Sequence, residues 1–387
     1  MISLIKNTFY KEEETKKALC DFVMGAKQLS MGPQTVAFEE VFAAWHDRKF
    51  AVFVNSGSSA NLALFQALIN LGTLKSGDKV AFSAVTWATN VMPIIQMGLT
   101  PMPVDVELDS LNISRATLEQ AYAAEAFQAL FITNLLGFCS DIDAIKNFCA
   151  EKGILLYEDN CESLGSVYKG TRLGNFGTAS TFSFFVGHHM STIEGGMILT
   201  DDAELYAMLK MVRAHGWNRN LLPAEQTGLR ETHDIPNFYD RYTFYDLAYN
   251  LRPTDIQGFI GLTQLPYLDE MIKKRVENFN ILSKVYKNPD FHPINVSMDV
   301  CSNFAFPVLC TSKEIQGKYV ARCEEAGIEL RPIVGGSMTE QPFYKKYSST
   351  VHPLPNAKYI HSVGFYIGNN PEMTAEDLRS MVSALSH

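Results

Sequence analysis

The amino-acid sequence predicts an α/β protein. A large domain with a mostly parallel sheet, residues 1–253, is joined to a smaller C-terminal α+β domain, residues 254–387. Three observations carry this. From about Lys49, short apolar runs alternate with helix-length segments, as strands do when their crossovers cover both faces of a parallel sheet. Most of the runs are near-continuous in apolar residues and several close on Gly, Asn or Asp, as buried strands do. After Tyr249-Asn250-Leu251-Arg252-Pro253 the alternation stops and a long helical pattern takes over.

Taken in order, AVFVNSG (51–57) reads as a strand closing in a glycine turn, and SSANLALFQALINLG (58–72) as the helix after it. DKVAFSA (78–84) and WATNVMPIIQMGL (87–99) repeat that pair. TPMPVDV (100–106), QALFITNLLG (128–137) and ILLYEDN (154–160) are further buried strands, with DIDAIKNFCAEKG (141–153) a helix between the last two. STFSFF (180–185) and GGMILTDD (195–202) predict two more strands, and DAELYAMLKMVRAHG (202–216) a helix ending in basic residues. The 253–286 pattern is helical but carries a proline. Beyond it come strand-like FAFPVLC (304–310), a helix around KYVARCEEAG (318–327) and a final helix at TAEDLRSMVSALS (374–386).

Composition narrows the function. Apolar residues make up 47% and charged residues 19%, the profile of a soluble globular enzyme. The net charge of −9 argues against nucleic acid as a partner. Seven scattered cysteines, with no C-x-x-C, read as reduced thiols of a cytoplasmic protein. The N-terminus lacks the apolar stretch of a signal peptide, and no apolar run reaches the length of a membrane span.

In parallel sheets ligands collect beyond the C-terminal strand ends, and the chemistry-bearing residues fall there. Gly57 and Ser58 follow one strand and open a helix; its N–H groups can hold a phosphate, although serine is also an ordinary cap. The site is not a P-loop, because no Gly-Lys-Ser/Thr follows. Trp87, two residues past a strand, either packs in the core or stacks on a planar ring. Asp159 closes ILLYEDN, where a carboxylate either caps the turn or pairs with a protonated pyridine nitrogen. Ser183 alternates with Phe182 and Phe184, so its hydroxyl faces away from the rings and suits a phosphate. His188-His189 is a weak metal pair, since adjacent side chains point apart and no third ligand has suitable spacing. His189 is the more structural of the two. His215, Arg219, Arg252 and Arg331 stand in RAHGWNRN, YNLRP and ELRPIVGG. They are surface cations or partners for anionic groups.

MGPQTVAFEEVFA, NSGSSANLAL, EDNCESLGS, FSFFVGHH with its following EGG, YNLRP and GIELRPIV together resemble the DegT/DnrJ/EryC1/StrS sugar aminotransferase family over nearly the whole chain. The resemblance implies fold type I of the pyridoxal 5′-phosphate (PLP) enzymes, like aspartate aminotransferase. One position departs from it. Family members hold PLP covalently on a lysine six residues before the Glu of Glu-Gly-Gly; here that residue is His188, and no lysine lies between Lys169 and Lys210. Imidazole cannot hold the cofactor so, but it titrates near neutrality and can move protons. The change places the chain among the family's dehydratases. A second histidine branch carries an iron–sulfur cluster on cysteines after the Glu-Gly-Gly. No cysteine lies between Cys161 and Cys301, so that cluster has no ligands here.

By position, the resemblance implies that Gly57, Ser58 and Ser183 hold the phosphate, Trp87 stacks on the ring, Asp159 pairs with its nitrogen and Glu162 sits nearby. It places Asn250 on the phosphate of a neighbouring subunit, in a homodimer with shared active sites. His215, Arg252 and Arg331 would bind L-glutamate, the amino donor. Arg219 and the loop Lys27-Gln28-Leu29-Ser30 would face a nucleotide-linked 4-keto-6-deoxy sugar. The implied reaction converts PLP to pyridoxamine 5′-phosphate (PMP) with glutamate, then removes the sugar's C3 hydroxyl, a step of dideoxysugar biosynthesis. The alternatives are an aminotransferase using another lysine and a non-catalytic sensor on the same fold.

Overall fold

The computed structural model describes residues 1–295, 297–348 and 352–386. Its central sheet has seven strands, in the order Phe50–Val54, Gly196–Thr200, Ala179–Ser183, Leu155–Asp159, Ala129–Thr133, Lys79–Ser83 and Thr100–Val104. Gly196–Thr200 runs antiparallel to both its neighbours, and the other strands all point one way. The reason is local: the 184–195 link contains no crossover helix, so the chain returns beside the strand it has just left.

Both faces are buried, and successive residues of each strand serve opposite cores. Val80, Phe82, Ala129 and Phe131 pack with Leu64 and Phe65 of helix Gly57–Asn70 and Leu209 of helix Ala203–Arg213. Ala81, Met102, Leu130 and Ile132 face the other way. Their cluster runs on through Leu282 into Phe306, Val308 and Ile367 of a second sheet. That sheet orders Phe291–His292, Ala305–Cys310, Gly364–Gly368 and Leu330–Pro332, all antiparallel.

Two helical expectations change. The 253–286 pattern is broken into helices Asp255–Gln264 and Leu268–Leu282 by a 3₁₀ turn, Leu265–Tyr267, which contains the proline. The 87–99 segment is a 3₁₀ turn, Ala88–Asn90, and a one-turn helix, Met92–Gln96, restarted at Pro93. The sequence division at 253/254 falls at the N-cap of Asp255–Gln264, where Thr254 and Gln257 form a capping box. This helix lies flush on helix Pro33–Trp45. A Cβ on Gly258 would come within 2.6 Å of the Thr35 amide, and one on Gly261 within 2.7 Å of the Phe38 ring.

The N-terminal segment lies along the small domain. Ile2 bridges to Ile328, and the Leu4 amide donates to the Glu329 carboxylate at 2.9 Å. Among the described residues, no helix is long and apolar enough to cross a membrane.

Candidate active site

A cavity of about 700 Å³ opens beyond the C-terminal ends of the parallel strands, between the central sheet and the small domain. Gly57, Ser58, Trp87, Asp159, Glu162, Ser183, His188 and Arg331 line it. Eight of the residues singled out from the sequence therefore meet in one place, although the chain separates the first and last by most of its length.

Asp159 forms the floor. It is buried, and neutral donors surround it: Asn61 Nδ2 at 2.9 Å and Asn90 Nδ2 at 2.7 Å on one oxygen, the Cys161 amide at 2.9 Å on the other. Asn61 is itself oriented, because its Oδ1 accepts from the Thr181 hydroxyl at 2.6 Å. Among the described residues no lysine, arginine or histidine forms an ion pair with Asp159. A buried carboxylate without a cation is costly, and a protonated ring nitrogen in the cavity would supply the missing charge.

Above it, Ser56 caps helix Gly57–Asn70 by accepting from the Ser59 amide at 3.0 Å. The helix therefore aims its free N–H groups and positive dipole end at the cavity. Gly57 must be glycine because a Cβ there would lie 2.7 Å from Ser183 Cβ. Ser183 lines the cavity while Phe182 and Phe184 are buried in a cluster with Phe38, Phe42 and Phe53. Trp87 is 55% exposed, so it is not a core residue. These features fit a flat, phosphorylated pyridine: an anion-binding helix end, a free aromatic face and a buried acid.

The Gly174, Phe176 and Gly177 amides, at 2.7–2.8 Å, all donate to buried Glu158. They anchor the strand end that carries Asp159.

Glu162 is buried beside Asp159, and its carboxyl is pushed up to about 8, first by burial and then by the Asp159 charge, against the Leu136 amide that lowers it. It is therefore protonated at neutral pH, and the sign of the consequence follows. Between about pH 4.5 and 8 the folded chain keeps a proton that the unfolded chain has released. Stability from this group is complete below that window and is lost as pH rises through it. Glu162→Gln is expected to flatten the fall by on the order of a few kcal/mol. Urea midpoints of both proteins at pH 5 and pH 8 measure it, and parallel losses would sink the assignment.

His188 sits on the 184–195 link, which extends the two antiparallel strands: Phe184 and Val186 pair with Gly195 and Ile193, and the His188 amide donates to the Phe185 carbonyl at 2.9 Å. Its partly buried imidazole lies between the rings of Phe185 and Phe304, at 5.9 and 5.3 Å. Its Nδ1 is buried without a hydrogen-bond partner. The expectation of titration near neutrality is corrected here. Burial, and then the neighbouring Arg275 guanidinium, push the imidazole down to about 4. It is thus a neutral base throughout the physiological range. His189 points elsewhere, with Nε2 2.8 Å from the Ser302 carbonyl.

The other predicted residues do not line this cavity. Lys27, Gln28, Leu29 and Ser30 form an exposed loop held by Ser30 pairing with Thr254 and by the Leu29 carbonyl accepting from the Asp255 amide at 3.0 Å. His215 stacks near Trp217, whose ring also lies under Arg219 at 3.8 Å and Arg252 at 5.3 Å. Arg252 Nε donates to exposed Asn250 Oδ1 at 2.9 Å. These residues make a second, cationic and aromatic surface cluster. No lysine is among the described residues lining the cavity.

Sequence reasoning assigned no role to Asn61, Asn90, Glu194, Glu329, His361 or Tyr366, all of which line the cavity. Asn61 had a signal, since it stands one helical turn after Gly57 on the same face. Asn90, three residues past Trp87, had none without the 3₁₀ turn.

A sequence profile described as "DegT/DnrJ/EryC1/StrS aminotransferase family" matches residues 10–386. The chain is 34% identical to GDP-4-keto-6-deoxy-D-mannose 3-dehydratase of Yersinia pseudotuberculosis, over 94% of this chain and 93% of that one. It is similar to the crystal structure of a GDP-4-keto-6-deoxymannose-3-dehydratase mutant with bound GDP-perosamine: TM-score 0.91, 32% identity, 100% of both chains. A crystal structure of GDP-4-keto-6-deoxymannose-3-dehydratase with a trapped PLP-glutamate geminal diamine matches with a TM-score of 0.90 and 32% identity over the full length of both chains.

Proposed function

The chain belongs to the DegT/DnrJ/EryC1/StrS aminotransferase family, and we propose that within it the protein is a PLP- and glutamate-dependent 3-dehydratase of a GDP-linked 4-keto-6-deoxy sugar, GDP-4-keto-6-deoxymannose. One observation carries the reading: His188 stands over the acid-floored cavity at the lysine position, and no lysine is among the described residues of its wall. Two relatives, matched over 94% and 90% of this chain, carry that activity in their names, and a solved structure of a GDP-4-keto-6-deoxymannose-3-dehydratase holds a trapped PLP–glutamate geminal diamine.

Trp87 would offer its exposed face to the ring of a bound PLP or PMP, and that cofactor would supply an electron sink. The rest is the work of the chain. The amides of Gly57 and Ser58 and the hydroxyls of Ser58 and Ser183 hold the phosphate. Asp159 keeps the ring nitrogen protonated, so the ring draws electrons. Neutral His188 takes a proton at C4′ and returns one to the departing C3 hydroxyl, a shuttle that needs a base free of its own proton. With imidazole rather than an amine at position 188, and no lysine among the described residues lining the cavity, no primary amine is at hand to release the sugar as an amine before its hydroxyl is lost.

The second cluster completes the site from a second copy. Asn250 reaches the neighbour's phosphate, His215 and Arg252, with Arg331 at the cavity mouth, take the carboxylates of glutamate, and Arg219 with Lys27–Ser30 faces the GDP sugar. A homodimer is the reading that gives Asn250, His215 and Arg252, which lie outside their own chain's cavity, a ligand to bind. Seven free cysteines and the proposed nucleotide-sugar substrate support a cytoplasmic location.

The test is a panel of nucleotide 4-keto-6-deoxy sugars incubated with PLP and glutamate. The GDP sugar is expected to become lighter by one oxygen atom as one equivalent each of 2-oxoglutarate and ammonia forms. A 4-amino sugar would establish an aminotransferase instead, and no turnover of any sugar or of glutamate would favour a sensor.

A further inference from the structure

Helix Leu268–Leu282 carries a buried arginine, Arg275, that forms no ion pair among the described residues. Its Nη2 donates to the His188 carbonyl at 3.0 Å. Its Nη1 donates to the Phe304 carbonyl at 3.3 Å and to that of Asn369. Asn369 donates back to the Arg275 carbonyl at 3.1 Å and to Asn303 at 2.9 Å. The arrangement ties together three things: the turn that bears the imidazole, the Phe304 backbone whose ring packs against it, and the end of strand Gly364–Gly368.

We propose that Arg275 is a positioning residue for His188, one guanidinium fixing the base between the 184–195 link and the small-domain sheet. The inference rests on the reading of His188 as the proton-moving group. Desolvating a guanidinium is expensive, and three carbonyls compensate it only in part. A neutral side-chain amide has two N–H donors and no charge; the guanidinium reaches three carbonyls and also brings a fixed cation, whose charge has a task of its own. The task is electrostatic: a fixed cation beside the imidazole disfavours its protonation.

Other titratable groups line the two cavities that His188 borders. Behind it are Lys6, Tyr10, His189 and Glu372, with Lys6 paired to Glu372. In front, across the cavity, are Asp159, Cys161, Glu162, Glu194, Glu329 and Arg331, with Arg331 paired to Glu329. His361 and Tyr366 stand in the same wall. The carboxylates would raise the imidazole and Lys6 is matched by its own acid, so Arg275 is the cation that opposes protonation.

The experiment follows the nine histidines by NMR titration of the full-length protein without cofactor, with His188→Asn identifying the His188 signal. In Arg275→Met the His188 titration is expected to move up by about one pH unit, and sugar dehydration to fall. Arg275→Lys keeps a charge but lacks the fork. It should leave the titration near the wild-type value while kcat drops about tenfold with KM held, the mark of misplacement. A folded Arg275→Met with an unmoved His188 titration overturns the proposal. Should that variant fail to fold, unchanged turnover in Arg275→Lys overturns it. The titration needs no substrate, so a wild-type chain that fails to dehydrate any sugar sinks the functional reading separately.

Discussion

Asparagine at position 188 is expected to lower sugar dehydration by roughly 100-fold or more while leaving PMP and sugar binding in place. General acid–base catalysis is worth about that much. Asparagine fits the space between Phe185 and Phe304 and stays polar, but it neither accepts nor returns a proton at neutral pH. Product formation in a single turnover of PMP-loaded protein measures the loss, and the ligand-induced absorbance change of the cofactor measures binding. The wild-type profile adds a second check. With the imidazole pushed down to about 4, its base form is already complete at pH 6, so its protonation should not slow the reaction between pH 8 and pH 6. It should begin to do so only near pH 5. Near wild-type dehydration in His188→Asn would show that another group moves the proton.

Mixing two inactive chains is expected to restore activity. One carries His188→Asn; the other carries Asn250→Ala with Arg252→Ala. In each homodimer both sites are defective, the second through lost hydrogen bonds to charged ligand groups, worth roughly 1.5–3 kcal/mol apiece. In a heterodimer of a symmetric pair the two lesions fall in one site and leave the other intact. Random exchange of subunits then regenerates about one quarter of wild-type turnover. The placement of Asn250 and Arg252 outside the cavity of their own chain motivates the test. Activity that stays at the level of the separate mutants would mean that each chain builds its own site.

Much of the architecture was legible in the chain because a buried parallel strand needs an unbroken apolar run and its crossover helix needs an amphipathic one. The breaks were less legible. Pro93 and Pro266 split segments that read as single helices, because a proline that starts a new turn leaves the apolar periodicity untouched. The cavity residues fall the same way. Gly57, Trp87 and Asp159 were found because each stands at or past the C-terminal end of a strand, and Ser183 because it alternates with two phenylalanines. Glu329, His361 and Tyr366 come from the small domain, and no local spacing ties them to the sheet.

Position 188 divides the two kinds of information most sharply. The sequence alone determined that no lysine is available there, since covalent chemistry depends on which atoms a side chain has. It also determined the family, through motifs spread along the whole chain. Only the tertiary structure decided what kind of base the histidine is. Its protonation depends on burial and on Arg275, which is 87 residues away in the chain and hydrogen-bonded to His188 in space. Glu162 shows the same limit: an ordinary acid in the sequence, it holds its proton only because folding removes water from it and sets Asp159 beside it. Side-chain identity is a covalent property, whereas pKa is a property of the surroundings, and the surroundings exist only once the two domains close on one another.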